Sequence, residues 1–461
     1  MSEGTKSPAF RRLEALLDDN SFVELCSSVT SRTTDFNLTD QKTPSDGVIT
    51  GSGLICGRPV FVFSQDASVL NGSIGEMHAR KILQVYDLAV KTGTPVVGLF
   101  DCSGVRLQES FDATEAIGAI CRKASDASGV IPQVCGVFGQ AGGAMNVLVG
   151  MFDFAYMEKD ASLFFHSPDS ISGNRREKMD PSSADYQYEH SGLVDGIGSE
   201  DEILASIRDL CAVLPQSNRT DGFEQDSADD LNRASSGLDS LRDDLPAFLR
   251  EISDSGLFIE TKAGYATDMV TGFVSLDGIT VGAIGNASSA LTSAGARKGA
   301  DFVRFCDAFD VPVLSLTNLE GYASSIEEEA TLGRAAASLA SAFASATVPK
   351  INLITKNAFG SAYLLMNSKS LGADLVLAYP DADMKIMDAN LAASVICEDA
   401  SLRRQMAAEF DEKANGLSNA ARRGVVDRIV SFADTRKYLI AGFEMLASKI
   451  ETEEYKKHTT K

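Results

Sequence analysis

The chain is written twice. PAFRRLEALLDDNSFVEL at residues 8–25 returns as PAFLREISDSGLFIET at 246–261, and DGVITGSGLICGRPVFVF at 46–63 returns as TDMVTGFVSLDGITVGAI at 267–284. Further on, VYDLAVKTGTPVVGLFDCSG (85–104) pairs with FCDAFDVPVLSLTNLEG (305–321). ASGVIPQVCGVFGQAGGAMNVLVGMFDFAYM then pairs with ASATVPKINLITKNAFGSAYLLMNSKSLGADLVLA. The offset is steady: 217 from Pro95 to Pro312, 217 from Pro132 to Pro349, and 218 from Gly143 to Ser361. Ordered matches of this length imply an internal duplication, so whatever one half folds into, the other must fold into as well.

Each half alternates short β-branched runs with helical patterns. PVVGLF, VIPQVCGVF, PVLSL and PKINLIT read as buried strands. MHARKILQVYDLAVKTG, ATLGRAAASLASAF and AYLLMNSKSLG read as helices, the first stopped by its glycine. Strand–helix alternation predicts two α/β domains with covered sheets. The stretch 216–244 carries eight acids against three arginines and few large apolar residues, the composition of a linker. The expected organisation is a first domain over 1–215, an acidic linker over 216–245 and a second domain over 246–461.

The composition narrows the class. Net charge is −22, and no Lys/Arg cluster offers the basic face a nucleic-acid binder needs. No apolar run is long enough to span a bilayer, and the N-terminus lacks a secretory pattern, so a cytoplasmic protein is expected. The eight cysteines are singletons without metal-ligand spacing, and they read as small core residues in a reducing compartment.

GQAGGAMNV (139–147) sets two glycines between a buried strand and a helix, and Gly360-Ser361-Ala362 stands at the matching place in the second half. A glycine pair there can be a tight turn and nothing more. It can also present bare N–H groups at a helix start to a ligand oxygen, the arrangement of an oxyanion hole. Recurrence at matching positions of a duplication favours the second reading.

The chain resembles the carboxyltransferase subunits of biotin-dependent acyl-CoA carboxylases and decarboxylases. The resemblance runs over nearly the whole length and rests on DGVITGSGLICGRPVFVFSQD, GSIGEMHARKI, SGVRLQE, GVIPQVCGVFGQAGGA, GARKGADFVRFCDAFDVP, TVPKINLITKNAFGSAY and MNSKSLGADLVLAYP. It implies two tandem crotonase-like (ClpP/crotonase) domains, the first binding the acyl-CoA and the second binding biotin on a separate carrier protein. It implies an active site between the first domain of one subunit and the second domain of another, in a homo-oligomer, commonly a hexamer built as a trimer of dimers. The chemistry it implies is transfer of a carboxyl group between carboxybiotin and the acyl α-carbon. Gly142 and Gly143 would hold the thioester oxygen, and Ser361 and Ala362, with Gly360, the biotin carbonyl. Gly72, Ser73 and Gly75 match the loop near coenzyme A, Arg106 and Gln108 match the motif after the third strand as candidate ligand contacts or else solvated surface residues, and Leu364 matches a position tied to acyl choice. No biotin-attachment Met-Lys-Met motif is present, so the carrier, and the biotin carboxylase or membrane decarboxylase subunit, are expected on separate chains.

The pattern is not fully kept. Ser361 stands where the family has a second glycine, Val105 and Glu320 replace a usual glycine and proline, and Asp388 replaces a glycine. His166 could line the coenzyme A pocket or sit satisfied in the core. The departures leave a second reading open, a non-catalytic paralogue that binds coenzyme A or serves assembly.

Overall fold

The computed structural model describes residues 6–32, 42–219, 227, 229–235 and 237–451. The chain divides into two compact units, Met1–Asp221 and Gly222–Lys461.

The first unit holds β1 (Val23–Leu25), β2 (Val48–Ile55), β3 (Arg58–Gln65), β4 (Val96–Cys102), β5 (Gln133–Gly142), β6 (Phe154–Glu158), β7 (Ser162–Phe164) and β8 (Gly196–Gly198). Its helices are α1 (Pro8–Leu16), α2 (Glu76–Thr92), α3 (Ser110–Ala127), α4 (Ala144–Val149), the single turn α5 (Ala184–Tyr186) and α6 (Glu200–Val213). The sheet runs β1-β2-β3-β4-β5-β6-β8, with β7 paired to the end of β5. The hairpin that opens it is antiparallel, and every pairing from β3 onward is parallel. Parallel strands need both faces covered. The helices supply that cover, and Ile82, Val85, Phe100, Ile120 and Val137 meet in a core with no exposed surface.

The second unit repeats this order. Its strands are β9 (Phe258–Thr261), β10 (Met269–Leu276), β11 (Ile279–Asn286), β12 (Ala290–Leu291), β13 (Val313–Leu319), β14 (Gly321–Tyr322), β15 (Lys350–Phe359), β16 (Leu375–Ala378), β17 (Asp383–Lys385) and β18 (Arg428–Ile429). Its helices are α7 (Leu238–Leu241), α8 (Leu245–Ile252), α9 (Ser293–Ala308), α10 (Ile326–Ser345), α11 (Gly360–Leu365), α12 (Ala389–Ile396), α13 (Arg403–Lys413), α14 (Leu417–Arg422) and α15 (Thr435–Leu446). The sheet order β9-β10-β11-β13-β15-β16-β18, with β17 on the end of β15, is the first sheet copied.

The duplication extends to polar contacts that are buried or half-buried. Lys81 Nζ donates to the carbonyls of Ser45 and Val48, and Lys298 Nζ, 217 positions on, donates to those of Lys262 and Tyr265, also 217 on. Glu109 caps the N-terminus of α2 through Glu76 N at 2.7 Å, and Glu328 caps α9 through Ser293 N at 2.7 Å. Asp153 accepts from Gln133 N at the start of β5, and Asp374 from Lys350 N at the start of β15, both at 2.8 Å. Each bond ties a helix end or strand start to a neighbouring segment, so both copies keep the contacts that fix their connections.

Three expectations are refined. The units part inside the acidic stretch, and its later portion belongs to the second unit. There Leu238 is buried in the core, and Arg233 donates to the carbonyls of Glu251 and Ser253. The helix expected over AYLLMNSKSLG stops at Leu365. Asn367 turns left-handed (φ 53°), and Asn352 Nδ2 takes the Met366 carbonyl at 3.0 Å, which ends the turn. Of the cysteines, Cys102, Cys135, Cys211 and Cys306 are buried, while Cys26, Cys121 and Cys397 are half-buried and Cys56 is exposed. Among the described residues no helix is long and apolar enough to cross a membrane.

Candidate active site

Both glycine motifs lie where the longest strand of each sheet gives way to a short helix. Gly143 has φ 59° and precedes α4; Gly360 has φ 52° and opens α11. A left-handed residue is the natural post for glycine, because any other side chain is strained there. These two glycines are 217 apart, as are the strand ends Gly142 and Phe359, which pair with β7 and β17. The match of Gly143 with Ser361 expected from the sequence is therefore one residue out. Gly143 answers to Gly360, Ala144 to Ser361 and Met145 to Ala362.

The shift changes which N–H groups stand in the first turn of each helix. Gly143 spends its N–H on the Phe164 carbonyl at 2.8 Å, so one donor of the expected pair is taken. Gly142 is buried with the Phe164 ring 3.0 Å from where a Cβ would sit, so its small size serves close packing. The next N–H groups, Ala144 and Met145, stand in the first turn of α4, where a helix has no acceptor of its own. Ser361 and Ala362 occupy the same place in α11. Ser361 is exposed, Ala362 is buried, and a Cβ on Gly360 would come 3.1 Å from the Ile386 carbonyl.

Beside α11 the second unit holds a cavity of about 460 Å³. Ala358, Leu364, Met384, Ile386 and Val425 give it apolar walls, and Gly360 and Ser361 stand at its edge. Tyr363 also lines it. Its Oη is buried without a hydrogen-bond partner among the described residues, and burial pushes the phenol up to about 12. Sequence reasoning singled out Gly360, Ser361 and Leu364 here. It missed Tyr363, Met384 and Ile386, because nothing in their spacing shows that β17 passes beside α11.

In the first unit the loop residues converge on a buried charge network. Arg106 is neither at a surface nor open to a ligand in this unit, since its side chain has no exposed surface. Its guanidinium donates to Asp46 Oδ1 at 2.6 Å, to Glu109 Oε1 at 2.9 Å and to the Ser73 carbonyl at 2.6 Å, with a longer bond to Ser73 Oγ. A buried guanidinium is costly unless carboxylates meet it, and here two do. Arg106 therefore acts on the Gly72–Ser73–Gly75 loop from beneath and does not present itself to a ligand. Gly72 (φ 63°) lies so close to β4 that a Cβ would sit 2.1 Å from the Asp101 carbonyl, and one on Gly75 would sit 2.2 Å from Glu109 Oε1. Gln108 is exposed on the turn Leu107–Glu109. His166 is exposed too, neither in the core nor held by it.

His78 completes the network. Its backbone N–H donates to Asp46 Oδ2 at 2.8 Å, Nδ1 donates to the Asp46 carbonyl at 2.9 Å, and Nε2 accepts from Gln65 Nε2 at 3.2 Å. Full burial, then the charge of Arg106, holds its pKa down to about 3. A histidine depressed on folding stabilises fully above its unfolded pKa of about 6.5 and loses that contribution as pH falls towards the folded value. The stability advantage of the wild type over His78→Gln is expected to shrink between about pH 7.5 and about pH 5, measured by urea unfolding at each pH.

The departures noted in the sequence have local roles. Asp388 caps α12 by accepting from Leu391 N at 2.9 Å, and Glu320 Oε1 accepts from Asn357 Nδ2 at 2.8 Å. Each carboxylate thus has a hydrogen-bond partner.

The chain is similar to known proteins over nearly its whole length. The carboxyl transferase domain family matches residues 2–460. The propionyl-CoA carboxylase beta chain of Roseobacter denitrificans is 36% identical over 98% of this chain and 93% of its own. The methylmalonyl-CoA decarboxylase subunit alpha of Veillonella parvula is 36% identical over 98% and 92%. The crystal structure of transcarboxylase 12S, a hexamer solved with hydrolysed methylmalonyl-coenzyme A bound, superposes with a TM-score of 0.93 at 33% identity, covering 98% of this chain and 92% of that one. The tandem crotonase-like fold that the family resemblance implies is the fold found.

Proposed function

The chain belongs to the carboxyl transferase family, and on that premise we propose that it moves a carboxyl group between carrier-bound biotin and the α-carbon of a small acyl-CoA of the propionyl or methylmalonyl type. The observation that carries the reading is the recurrence, in both units, of a left-handed glycine that opens a helix at the end of the longest strand. A reaction passing through two enolate-like oxygens needs two such places, and each donor aimed at developing negative charge is worth about 3–4 kcal/mol.

In the first unit, Ala144 and Met145 are the N–H groups open to a thioester oxygen. They stabilise it as the α-carbon loses or gains its carboxyl group. The loop over Gly72, Ser73 and Gly75 approaches the end of β4 closely enough that a side chain at Gly72 is excluded, which suits a loop that lies along a cofactor. In the second unit, the apolar cavity with Ser361 and Ala362 at its edge fits a bicyclic ring that is apolar apart from one urea group. Bound there, biotin supplies the nitrogen that carries the carboxyl group and the carbonyl oxygen that takes up charge. The chain's own part is to hold that oxygen on backbone donors and to keep water from the ring through Leu364, Met384 and Ile386.

The reading calls for a biotin carrier protein and for a biotin carboxylase or membrane decarboxylase subunit as partners. A hexamer of the transcarboxylase 12S kind would cover exposed apolar side chains such as Phe111 and Val395, 83% and 73% exposed. No observation favours a non-catalytic role.

The test is decarboxylation of methylmalonyl-CoA, malonyl-CoA or glutaconyl-CoA by the purified protein with free biotin, followed by chromatography of the thioesters. Biotin-dependent loss of the carboxyl group from one of them is expected. No turnover, together with no binding of any thioester by calorimetry, overturns the reading.

A further inference from the structure

The two units differ in their polar chemistry beside the glycine motif. In the first, Val105 bridges to Ile74; in the second, the positions 217 further on are Tyr322 and Leu291, paired in the same way. At the motif itself Ala144 is matched by Ser361. The first unit thus has no hydroxyl at either position, and the second has one at both. Those hydroxyls meet: Tyr322 Oη donates to Ser361 Oγ at 3.2 Å.

The direction of that bond matters. A hydroxyl that accepts a hydrogen bond keeps its own proton free to donate. Tyr322 therefore fixes the Ser361 oxygen and leaves Ser361 O–H available on the cavity wall, next to its own backbone N–H. The cavity independently calls for a polar occupant, because Tyr363, 6% exposed and lining it, has a buried Oη with no partner among the described residues. An apolar pocket with one unmet phenol and one oriented hydroxyl suits a largely apolar ring that carries a urea.

We propose that the Ser361 hydroxyl, oriented by Tyr322, is a third hydrogen-bond donor to the urea oxygen held by the Ser361 and Ala362 N–H groups. Ser361 is then a catalytic residue and Tyr322 a positioning residue. The inference rests on the reading of the second unit as the biotin site.

The experiment uses the intact protein with free biotin, at saturating methylmalonyl-CoA, in wild type, Ser361→Ala, Ser361→Gly, Tyr322→Phe and the double variant Ser361→Ala/Tyr322→Phe. Biotin affinity is measured in parallel by calorimetry. Loss of one donor to a charged oxygen is expected to lower kcat/KM for biotin about tenfold or more in both Ser361 variants. KM for the thioester is expected to stay unchanged. Tyr322→Phe is expected to fall in the same direction and to add nothing in the Ser361→Ala background, the signature of a residue acting through another. Ser361 variants equal to or faster than the wild type would overturn the proposal, since the side chain would then be idle or merely crowding the motif. An effect of Tyr322→Phe that persists without the Ser361 hydroxyl overturns the positioning role. A wild type that neither binds nor uses biotin defeats the underlying reading instead, and so the two failures are distinguishable.

Discussion

Arg106→Met is expected to destabilise the first unit by about 3–5 kcal/mol, the cost of stripping a buried pair of its cation. Asp46 and Glu109 have no exposed side-chain surface, and each would be left facing the other without a counter-charge. Burial, ahead of the opposing charge of Arg106, already raises the Asp46 pKa. In the variant both carboxyls can fold only by taking up protons, so the deficit should grow with pH. Removing one carboxylate as well, in Arg106→Met/Asp46→Asn, should recover part of the loss, because what costs most is the charge left behind. Equilibrium unfolding in urea of the three proteins decides this. A deficit below about 1 kcal/mol in the single variant would show the network to be no more than surface electrostatics. Surviving Arg106→Met protein should also have a raised KM for the thioester, since Ser73 loses the donors that hold its loop.

Ser361→Pro is expected to lower kcat for biotin-dependent decarboxylation by about 10²–10³-fold while leaving the fold in place. Proline is tolerated in the first turn of a helix, where the N–H has no helical partner to lose. The substitution therefore removes the backbone donor along with the hydroxyl, whereas Ser361→Ala removes the hydroxyl alone. Steady-state kinetics of the two, with an unfolding curve for each, separate the backbone contribution from that of the side chain. Activity of Ser361→Pro within a few-fold of the wild type would mean that this N–H does not face the reacting oxygen.

Much of this architecture is legible in the sequence because the repeat is carried by buried strands. PVVGLF and PVLSL are apolar throughout, as strands covered on both faces must be, and they fall in β4 and β13. α2 ends at Gly93 in a left-handed cap, as its glycine signals. The motif register is harder to read. GG and GS look like aligned pairs, but the backbone angle that assigns Gly143 to Gly360 is a property of the turn and leaves no mark on residue identity. The place of Arg106 is hidden for a related reason. Its partner Asp46 lies 60 positions away, and only the fold shows that the two meet. The leucines of α7 were hidden in an acidic stretch whose average composition masks a local apolar stripe.

The central claim is that a carboxyl group passes between a CoA thioester and biotin on this protein. The most direct test is transfer of label from methylmalonyl-CoA, carrying carbon-14 in its free carboxyl group, to free biotin. The account predicts acid-labile, base-stable label on biotin, formed together with propionyl-CoA and absent when biotin is omitted. Thioester binding without any label on biotin, under conditions where both ligands are present in excess, would contradict it.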